Sequence, residues 1–305
     1  MTQRMQVLVM GGAGFIGSHL AERLLAEGHA VEVVDDLSTG SLANLAEARA
    51  MNADLKFHTL DVCTDGFMAL AALRPPDVVY DLTLLPPSRP AEGVAGASLR
   101  GLAAALEVGR SRPGTKVVVA VSAASLYGEA PAREQPLKES QPWKPLGVAG
   151  VVSRAAVDLL AAYRERHAVE FTALAMPSVY GPRQRPDAGV VAAFADAARR
   201  GVAPVVHGDG RQTRDFLFVD DAVDALVRAA RKGSGLVVNT GTGVATSVID
   251  LWHMIAGSDG AQPDFAPRRP DSVQRLSLAP TRARIQLAWA PWTDLATGLR
   301  SLDRS

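Results

Sequence analysis

Apolar, β-branched segments alternate with helical patterns over roughly the first 180 residues of the chain. Six segments predict strands, at Val7–Met10, Val31–Asp35, Leu55–Leu60, Val78–Leu82, Lys116–Ser122 and Glu170–Ala175. Helices are predicted between them, near 15–27, 66–73, 92–111 and 147–166. Several strands are apolar without alternation, as in strands that helices cover on both faces. We therefore predict an α/β fold with a doubly wound, mainly parallel sheet.

The pattern changes after Pro177, where prolines and glycines become frequent. Shorter helices are predicted there, near 188–200, 220–231 and 247–256. From this change in composition and helix length we predict two units. The first domain covers residues 1–177, and a smaller C-terminal lobe covers residues 178–305, with some of its chain returning to the first domain.

The charge and composition of the chain limit the classes of ligand, partner and cellular compartment that we expect. The 305 residues include 32 Lys and Arg and 32 Asp and Glu, so nothing points to nucleic acid or to an anionic membrane. The single cysteine, Cys63, excludes an internal disulfide and suits the reducing cytoplasm. No apolar run is long enough to span a bilayer, and no signal-peptide pattern opens the sequence. We therefore expect a cytoplasmic protein with no membrane partner, and no histidine or cysteine spacing indicates a metal site.

A glycine-rich turn after the first predicted strand carries the clearest chemical signal. It reads Gly11-Gly12-Ala13-Gly14-Phe15-Ile16-Gly17 and leads into an amphipathic helix. A side chain at Gly12 or Gly14 would hold a pyrophosphate away, and one at Gly17 would keep the helix from packing on the strand. The free N–H groups at the helix N-terminus favour an anion. The turn therefore predicts a dinucleotide site that includes Gly11, Gly14, Phe15, Ile16 and Gly17.

The second predicted strand ends at Asp35, about 20 residues beyond the glycines. A carboxylate at that position can accept hydrogen bonds from both ribose hydroxyls of an adenosine. Its negative charge disfavours a 2′-phosphate, so the sequence favours NAD over NADP as cofactor.

Further motifs resemble those of one enzyme family along nearly the whole chain. They are Asp35-Asp36-Leu37-Ser38-Thr39-Gly40, Leu60-Asp61-Val62, Val179-Tyr180-Gly181-Pro182-Arg183, Gly208-Asp209-Gly210, Arg214-Asp215-Phe216, Asn239-Thr240-Gly241-Thr242-Gly243 and Arg269-Pro270-Asp271. On these residues the chain resembles the extended short-chain dehydrogenases/reductases, in particular the NAD-dependent nucleotide-sugar epimerases and dehydratases of the UDP-glucose 4-epimerase kind. The resemblance implies a Rossmann NAD-binding domain, a substrate lobe and transient hydride transfer at a sugar carbon.

The resemblance also implies roles for residues outside the glycine turn. The implied cofactor-binding residues are Asp36, Ser38, Gly40, Asp61, Val62 and Leu82. Ser178, Arg214 and Arg269 are implied to bind the nucleotide sugar, with the two arginines on its diphosphate. Members of the family often form homodimers through two helices per subunit, which correspond to the helices near 92–111 and 147–166. We therefore expect a homodimer with a small-molecule substrate.

The resemblance fails at the catalytic residues. Family members use a tyrosinate as proton acceptor, and a lysine four residues later lowers the pKa of that tyrosine. Leu146 and Gly150 stand at these two positions, and Ala123 stands where the family has a serine. None of the four tyrosines is followed by a lysine at that spacing. The remaining candidates for catalysis near the strand ends are Asp81, Tyr127, Ser122 and Ser125.

Three hypotheses about function follow. The first is a divergent NAD-dependent epimerase or dehydratase that uses another acid or base. The second is a catalytically silent protein that binds NAD and a nucleotide sugar. The third is a lyase, cyclase or isomerase that acts on a less polar substrate, because Leu84, Leu85, Leu146 and Val148 are apolar.

Overall fold

The computed structural model describes residues 3–51, 54–84, 91–257, 260–270 and 272–302. Its strands are β1 (Gln6–Met10), β2 (Ala30–Asp35), β3 (Leu55–Thr59), β4 (Val78–Asp81), β5 (Lys116–Ser122), β6 (Glu170–Met176), β7 (Ser178–Tyr180), β8 (Val205–His207), β9 (Thr213–Arg214), β10 (Phe216–Phe218), β11 (Leu236–Asn239), β12 (Thr246–Ser247) and β13 (Asp264–Ala266). Its α-helices are α1 (Phe15–Ala26), α2 (Ala46–Ala50), α3 (Asp65–Leu73), α4 (Ala91–Ser111), α5 (Ala123–Tyr127), α6 (Gly147–His167), α7 (Val190–Arg199), α8 (Val219–Ala229), α9 (Val248–Ala256), α10 (Thr281–Gln286) and α11 (Leu295–Ser301).

Seven strands form one parallel sheet in the order β11-β6-β5-β4-β1-β2-β3. The chain winds away from β1 in both directions, because β2 lies on one side of it and β4 on the other. Connections that leave in opposite directions open a crevice at the carboxyl ends of β1 and β4, which is where open α/β sheets bind ligands.

Successive residues of the central strands point to opposite faces of the sheet, and helices cover both faces. Val7 and Val9 pack in one core with residues of α1 and α8. Leu8 and Met10 pack in a second core with residues of α4 and α6. Because helices cover both faces, the central strands β1, β4 and β5 are mainly apolar, as the sequence indicated, whereas the edge strand β3 is partly exposed.

The predicted fold class is confirmed. All six predicted strands are present in the sheet, with ends that differ from the prediction by no more than one residue. The short helices α2 and α5 were not predicted, because five residues are too few for a helical period to show in the sequence. None of the helices in the described part of the chain combines the length and apolarity needed to cross a membrane.

The described part of the chain after Pro177 forms three two-stranded sheets and also adds a strand to the large one. β7 pairs with β10, β8 with β13, and β9 with β12. β11 joins the edge of the large sheet beside β6, and residues of α8 share a core with α1. The segments before and after Pro177 are therefore joined by packing as well as by the chain.

Asp215, between β9 and β10, ties together three separate segments of this part of the chain. Its carboxylate accepts hydrogen bonds from the N–H and hydroxyl of Thr242, from the Gly243 N–H and from the Leu278 N–H, at 2.7–3.1 Å. The side chain is fully buried, and burial raises its pKa while these donors lower it. Such a saturated carboxylate holds loops in place and has little capacity left for a ligand.

Candidate active site

The glycine turn between β1 and α1 is closely packed, at Gly17 for the reason that the sequence predicts and at Gly12 for a different one, because a Cβ there would meet Val33 of β2 and not a ligand. A Cβ atom at Gly12 would lie 2.6 Å from Val33 Cγ1, and one at Gly17 would overlap the Gly11 carbonyl. The N-cap residue Gly14 offers no side chain to the first turn of α1. The N–H groups of that turn therefore remain available to a phosphate anion.

Asp35 lies at the end of β2 with both carboxylate oxygens already oriented. Oδ2 accepts the Ala13 N–H at 2.9 Å, and Oδ1 accepts the Leu37 N–H at 2.8 Å. Burial raises the pKa of Asp35, against these two hydrogen bonds, which lower it. Each oxygen of the carboxylate keeps further capacity as an acceptor, so Asp35 can bind a pair of ribose hydroxyls.

The other predicted cofactor residues surround the same cavity, of about 580 Å³. Those that line it are Gly11, Gly14, Phe15, Ile16, Gly17, Asp35, Asp36, Ser38, Asp61, Val62 and Leu82. Gly40 lies behind Asp35, where an added Cβ would come within 2.9 Å of Asp35 Oδ1. Among the described residues, the acidic side chains that line the cavity are Asp35, Asp36 and Asp61, and all three lie at this end. Their negative charge is compatible with an adenosine but would repel a 2′-phosphate on its ribose.

The cavity continues without interruption from this end towards the second unit. Its far part is lined by residues of α6, of β6 and the segment after it, of α7 and of β10, namely Val148, Ala149, Val152, Ser153, Met176, Pro177, Ser178, Val190 and Phe216. Among these, the sequence had suggested Ser178 and, as an apolar replacement, Val148. No motif in the sequence distinguishes the others.

The positions of the missing tyrosine and lysine are packed closely. The Leu146 N–H donates to the Ser125 carbonyl at 2.9 Å, and a Cβ at Gly150 would lie 2.5 Å from that same oxygen. Neither Leu146 nor Gly150 lines the cavity, and Ala123 is fully buried. The start of α6 therefore lies against α5 at a distance that only glycine permits.

Asp81 lies beneath the floor of the cleft at the end of β4, with 0% of its surface exposed. Its Oδ1 accepts the Thr83 N–H at 2.9 Å and the Thr83 hydroxyl at 2.6 Å, whereas no residue that the structure describes forms a hydrogen bond with Oδ2. Burial raises the pKa of this carboxyl, against the two Thr83 bonds, which lower it. Thr83 itself lines the cavity, so it connects Asp81 to the cleft.

The other three catalytic candidates have different positions. Ser122 and Ser125 line the cavity, and Ser122 Oγ accepts the Ser125 N–H at 3.3 Å. Tyr127 is only 2% exposed, and its hydroxyl donates to Asn239 Oδ1 at 2.8 Å. Burial raises the pKa of Tyr127 to about 12. The structure thus places the two serines in the cleft and holds Tyr127 in a structural contact with β11.

The two arginines predicted to bind the substrate both contact the loop at Ser272, Arg214 through its side chain and Arg269 through its backbone, and neither is among the residues that line the cavity. Arg214 donates to Ser272 Oγ at 2.8 Å, and the Ser272 N–H donates to the Arg269 carbonyl at 3.2 Å. Arg214 forms no ion pair with any described residue, and burial lowers its pKa. Arg269 donates to His207 Nε2 at 3.1 Å, since His207 Nδ1–H faces the Pro267 carbonyl. Asp271 and Leu85 lie outside the described residues.

Comparison with known proteins agrees with this arrangement. The model of the NAD dependent epimerase/dehydratase family matches residues 7–241. A UDP-glucose 4-epimerase of Mycolicibacterium smegmatis is 40% identical over 314 residues, which cover 97% of this chain and 96% of the relative.

Solved structures of the same kind superimpose closely. A UDP-glucose 4-epimerase from Thermotoga maritima, solved with UDP-glucose, has a TM-score of 0.92 at 31% identity over 98% of both chains. A UDP-glucose 4-epimerase from Thermus thermophilus, in complex with NAD, has a TM-score of 0.87 at 29% identity over 98% of both chains. The family match spans the glycine turn, Asp35 and the cleft, and the cradle at Gly12 and Gly17 fits the NAD that the family uses. The chain belongs to the NAD-dependent epimerase/dehydratase family of nucleotide-sugar enzymes.

Proposed function

We propose that the protein is a divergent NAD-dependent nucleotide-sugar epimerase or dehydratase whose acid–base group is not the tyrosine–lysine pair. The observation that carries this proposal is the continuous cavity of about 580 Å³, which joins the cofactor end at Asp35 to the serines beside α6. A cofactor and a second ligand can therefore lie side by side in one cleft, as hydride exchange requires.

The cofactor would be held at its adenosine half by residues that the structure orients without it. Asp35 would accept the ribose hydroxyls, the α1 N-terminus would bind the pyrophosphate, and Asp61 and Val62 would flank the adenine. Bound NAD supplies a hydride acceptor. Everything else in the proposed reaction is a matter of binding the sugar and moving its hydroxyl proton.

Asp81 and Thr83 provide a route for that proton. A substrate hydroxyl that donates to Thr83 Oγ1 can transfer its proton there while the Thr83 proton moves along the 2.6 Å hydrogen bond to Asp81 Oδ1. Burial raises the pKa of Asp81 and makes its carboxylate a better base than an exposed aspartate. The net change is one proton gained by Asp81, which it returns in the reverse step.

The nucleotide sugar would lie along the far part of the cleft. Arg214 and Arg269 suit its diphosphate, because they are brought to one loop and form no ion pair among the described residues. Ser122, Ser125 and Ser178 would offer hydroxyls to the sugar. The Thermotoga maritima neighbour was solved with UDP-glucose, so a UDP-hexose is the first substrate to test.

One observation favours the second candidate, a protein that binds NAD and a nucleotide sugar without turnover. Gly150 contacts the Ser125 carbonyl so closely that no lysine fits there without movement of α6. The packing of α6 against Ser125 is therefore incompatible with a lysine at position 150. The less polar substrate of a lyase, cyclase or isomerase stays a third proposal, supported by Val148, Val152 and Val190 on the cleft wall.

Turnover in deuterated water separates these proposals. Purified protein with NAD is incubated with UDP- and dTDP-hexoses, and the products are analysed by mass spectrometry and NMR. We expect a new epimer, loss of water or uptake of deuterium. Unchanged sugars together with tight binding of NAD and UDP would establish the silent binding protein, and unchanged sugars without UDP binding would favour a different substrate.

Variants of the proton route test its residues. Asp81→Asn and Thr83→Val should each lower kcat by about a hundredfold, the usual contribution of a general base, with NAD retention unchanged. Tyr127→Phe, which removes a hydroxyl held by Asn239, should keep kcat. Equal kcat in all four proteins would exclude Asp81 as the proton acceptor.

A further inference from the structure

The N-terminus of α6 presents unused hydrogen-bond donors at the wall of the cleft. No described residue accepts a hydrogen bond from the N–H groups of Gly147, Val148 or Ala149, and the N-cap residue Leu146 provides no side-chain acceptor. Val148 and Ala149 line the cavity. Because α6 has 21 residues, the dipole of a long helix adds partial positive charge at this end.

Ser153 is a second, independent sign of a ligand at this place. Its side chain lines the cavity although the residue is only 4% exposed, and no described residue forms a hydrogen bond with its hydroxyl. Ser153 follows Ala149 by four residues, so both lie on the same face of α6. Side chains on a helix lean towards its N-terminus, which directs this hydroxyl to the free N–H groups.

The charges nearby permit an anion at this end of α6. The acidic residues that line the described cavity are Asp35, Asp36 and Asp61, all at the adenosine end. The arginines Arg183 and Arg185, which also line it, are paired with Glu22 and with Asp187. The N–H donors at the α6 N-terminus can bind an anionic group such as a carboxylate, and the phosphates of the cofactor and of the substrate are assigned to the α1 N-terminus and to Arg214 and Arg269.

We propose that the N-terminus of α6, with Val148 and Ala149 as N–H donors and Ser153 as hydroxyl donor, binds a carboxylate of the substrate. The inference rests on the proposed function and specifies it: the nucleotide sugar carries an acidic group, as a uronic acid does. The diphosphate binds to Arg214 and Arg269, and the carboxylate lies at the cleft wall beside Val148, Ala149 and Ser153.

Binding to the NAD-loaded protein, measured by titration calorimetry, tests this site. The probes are UDP, UDP-glucose and UDP-glucuronate. We expect UDP-glucuronate to bind about tenfold more tightly than UDP-glucose, since hydrogen bonds to a charged group contribute more than neutral ones. Equal affinity for the two sugars would overturn the carboxylate site alone, whereas absence of binding by all three probes would overturn the proposed function as well.

Two variants locate the donors. Val148→Pro removes one N–H at the first helical turn, where proline is tolerated, and Val148→Ala keeps that N–H as the matched control. We expect the proline variant and Ser153→Ala to lose most of the preference for UDP-glucuronate and to keep the affinity for UDP-glucose. Should the proline variant fail to fold, Ser153→Ala decides, and an unchanged preference in Ser153→Ala would exclude its hydroxyl from the site.

Discussion

Two aspartates, at the ends of the two strands that flank β1, show how the surroundings of one residue type decide its role. Asp35 has one hydrogen bond on each oxygen and opens to the cavity. Asp81 has two hydrogen bonds on Oδ1, none on Oδ2, and no exposed surface. The first carboxylate is ready to accept hydrogen bonds from a ligand, and the second is a buried acid whose charge is costly.

Replacement of Asp35 should weaken cofactor binding. Asp35→Asn removes the charge and one of the two acceptors, so we expect the Kd for NAD to rise about ten- to a hundredfold. Because the negative charge that repels a 2′-phosphate is also removed, the ratio of affinities for NAD and NADP should fall. Fluorescence titration with NADH and NADPH measures both, with the exposed Asp158→Asn as control, and an unchanged ratio would contradict the role of Asp35.

Replacement of Asp81 should change how stability depends on pH. The folded-state pKa of Asp81 is raised above its ordinary value of 3.8, so the folded protein binds more protons than the unfolded chain between those two values. Ionisation of Asp81 therefore lowers the free energy of unfolding as pH rises, by about 1.4 kcal/mol for each unit of the pKa elevation. From pH 4 to pH 8, the melting temperature of the parent protein should therefore fall relative to that of Asp81→Asn. A difference that stays constant would show that Asp81 is not a buried titrating group.

At the scale of the element, α6 combines a structural and a functional role. Val152, Ala156 and Leu160 bury one face of the helix in the second core. Val148, Ala149 and Ser153 bring its first two turns to the cleft. The start of α6 can lie close to the Ser125 carbonyl because Gly150 has no Cβ atom. The position of the N–H donors of Val148 and Ala149 therefore depends on this glycine.

Gly150→Ala should therefore destabilise the protein although alanine favours helices. The added Cβ forces α6 away from α5, at a cost of about 1–3 kcal/mol. Gly96→Ala in α4 is the matched control, since no heavy atom lies within 4 Å of the Cβ added there, and it should stabilise by up to about 1 kcal/mol. Denaturant unfolding measures both. Equal stabilisation by the two alanines would mean that the close contact at Gly150 is absent in solution.

At the scale of the whole molecule, the outward faces of α4 and α6 are the predicted dimer surface. The two helices pack against each other in the second core, and Val151 of α6 is 62% exposed. If these helices pair with those of a second copy, Val151 becomes buried and a charge there is unfavourable.

Sedimentation should then show a dimer for the parent protein and a monomer for Val151→Glu. Ile285→Glu is the control, because Ile285 of α10 is 72% exposed and lies outside the predicted interface. A monomeric parent protein, or a dimer that survives Val151→Glu, would contradict the prediction for this surface.

The sequence by itself determined the class of fold and the cofactor half of the cleft. Apolar strands such as Val117–Val121 need cover on both faces, and that requirement leads to a helix-covered parallel sheet. The site at Gly12, Gly17 and Asp35 is local in the chain: it consists of one strand, one turn, one helix and the next strand end. Local patterns can be seen in a sequence because the spacing of residues fixes their geometry.

The tertiary structure decided the chemistry at the other end of the cleft. The hydrogen bond from Tyr127 to Asn239 joins residues 112 positions apart, and Ser153 lines the cavity only because α6 packs beside β5 and α5. The orphan oxygen of Asp81 and the close contact at Gly150 likewise depend on which segments meet. A sequence shows that a tyrosine and a lysine are missing, but packing alone determines which groups occupy their place, because contacts between distant segments leave no spacing in the chain.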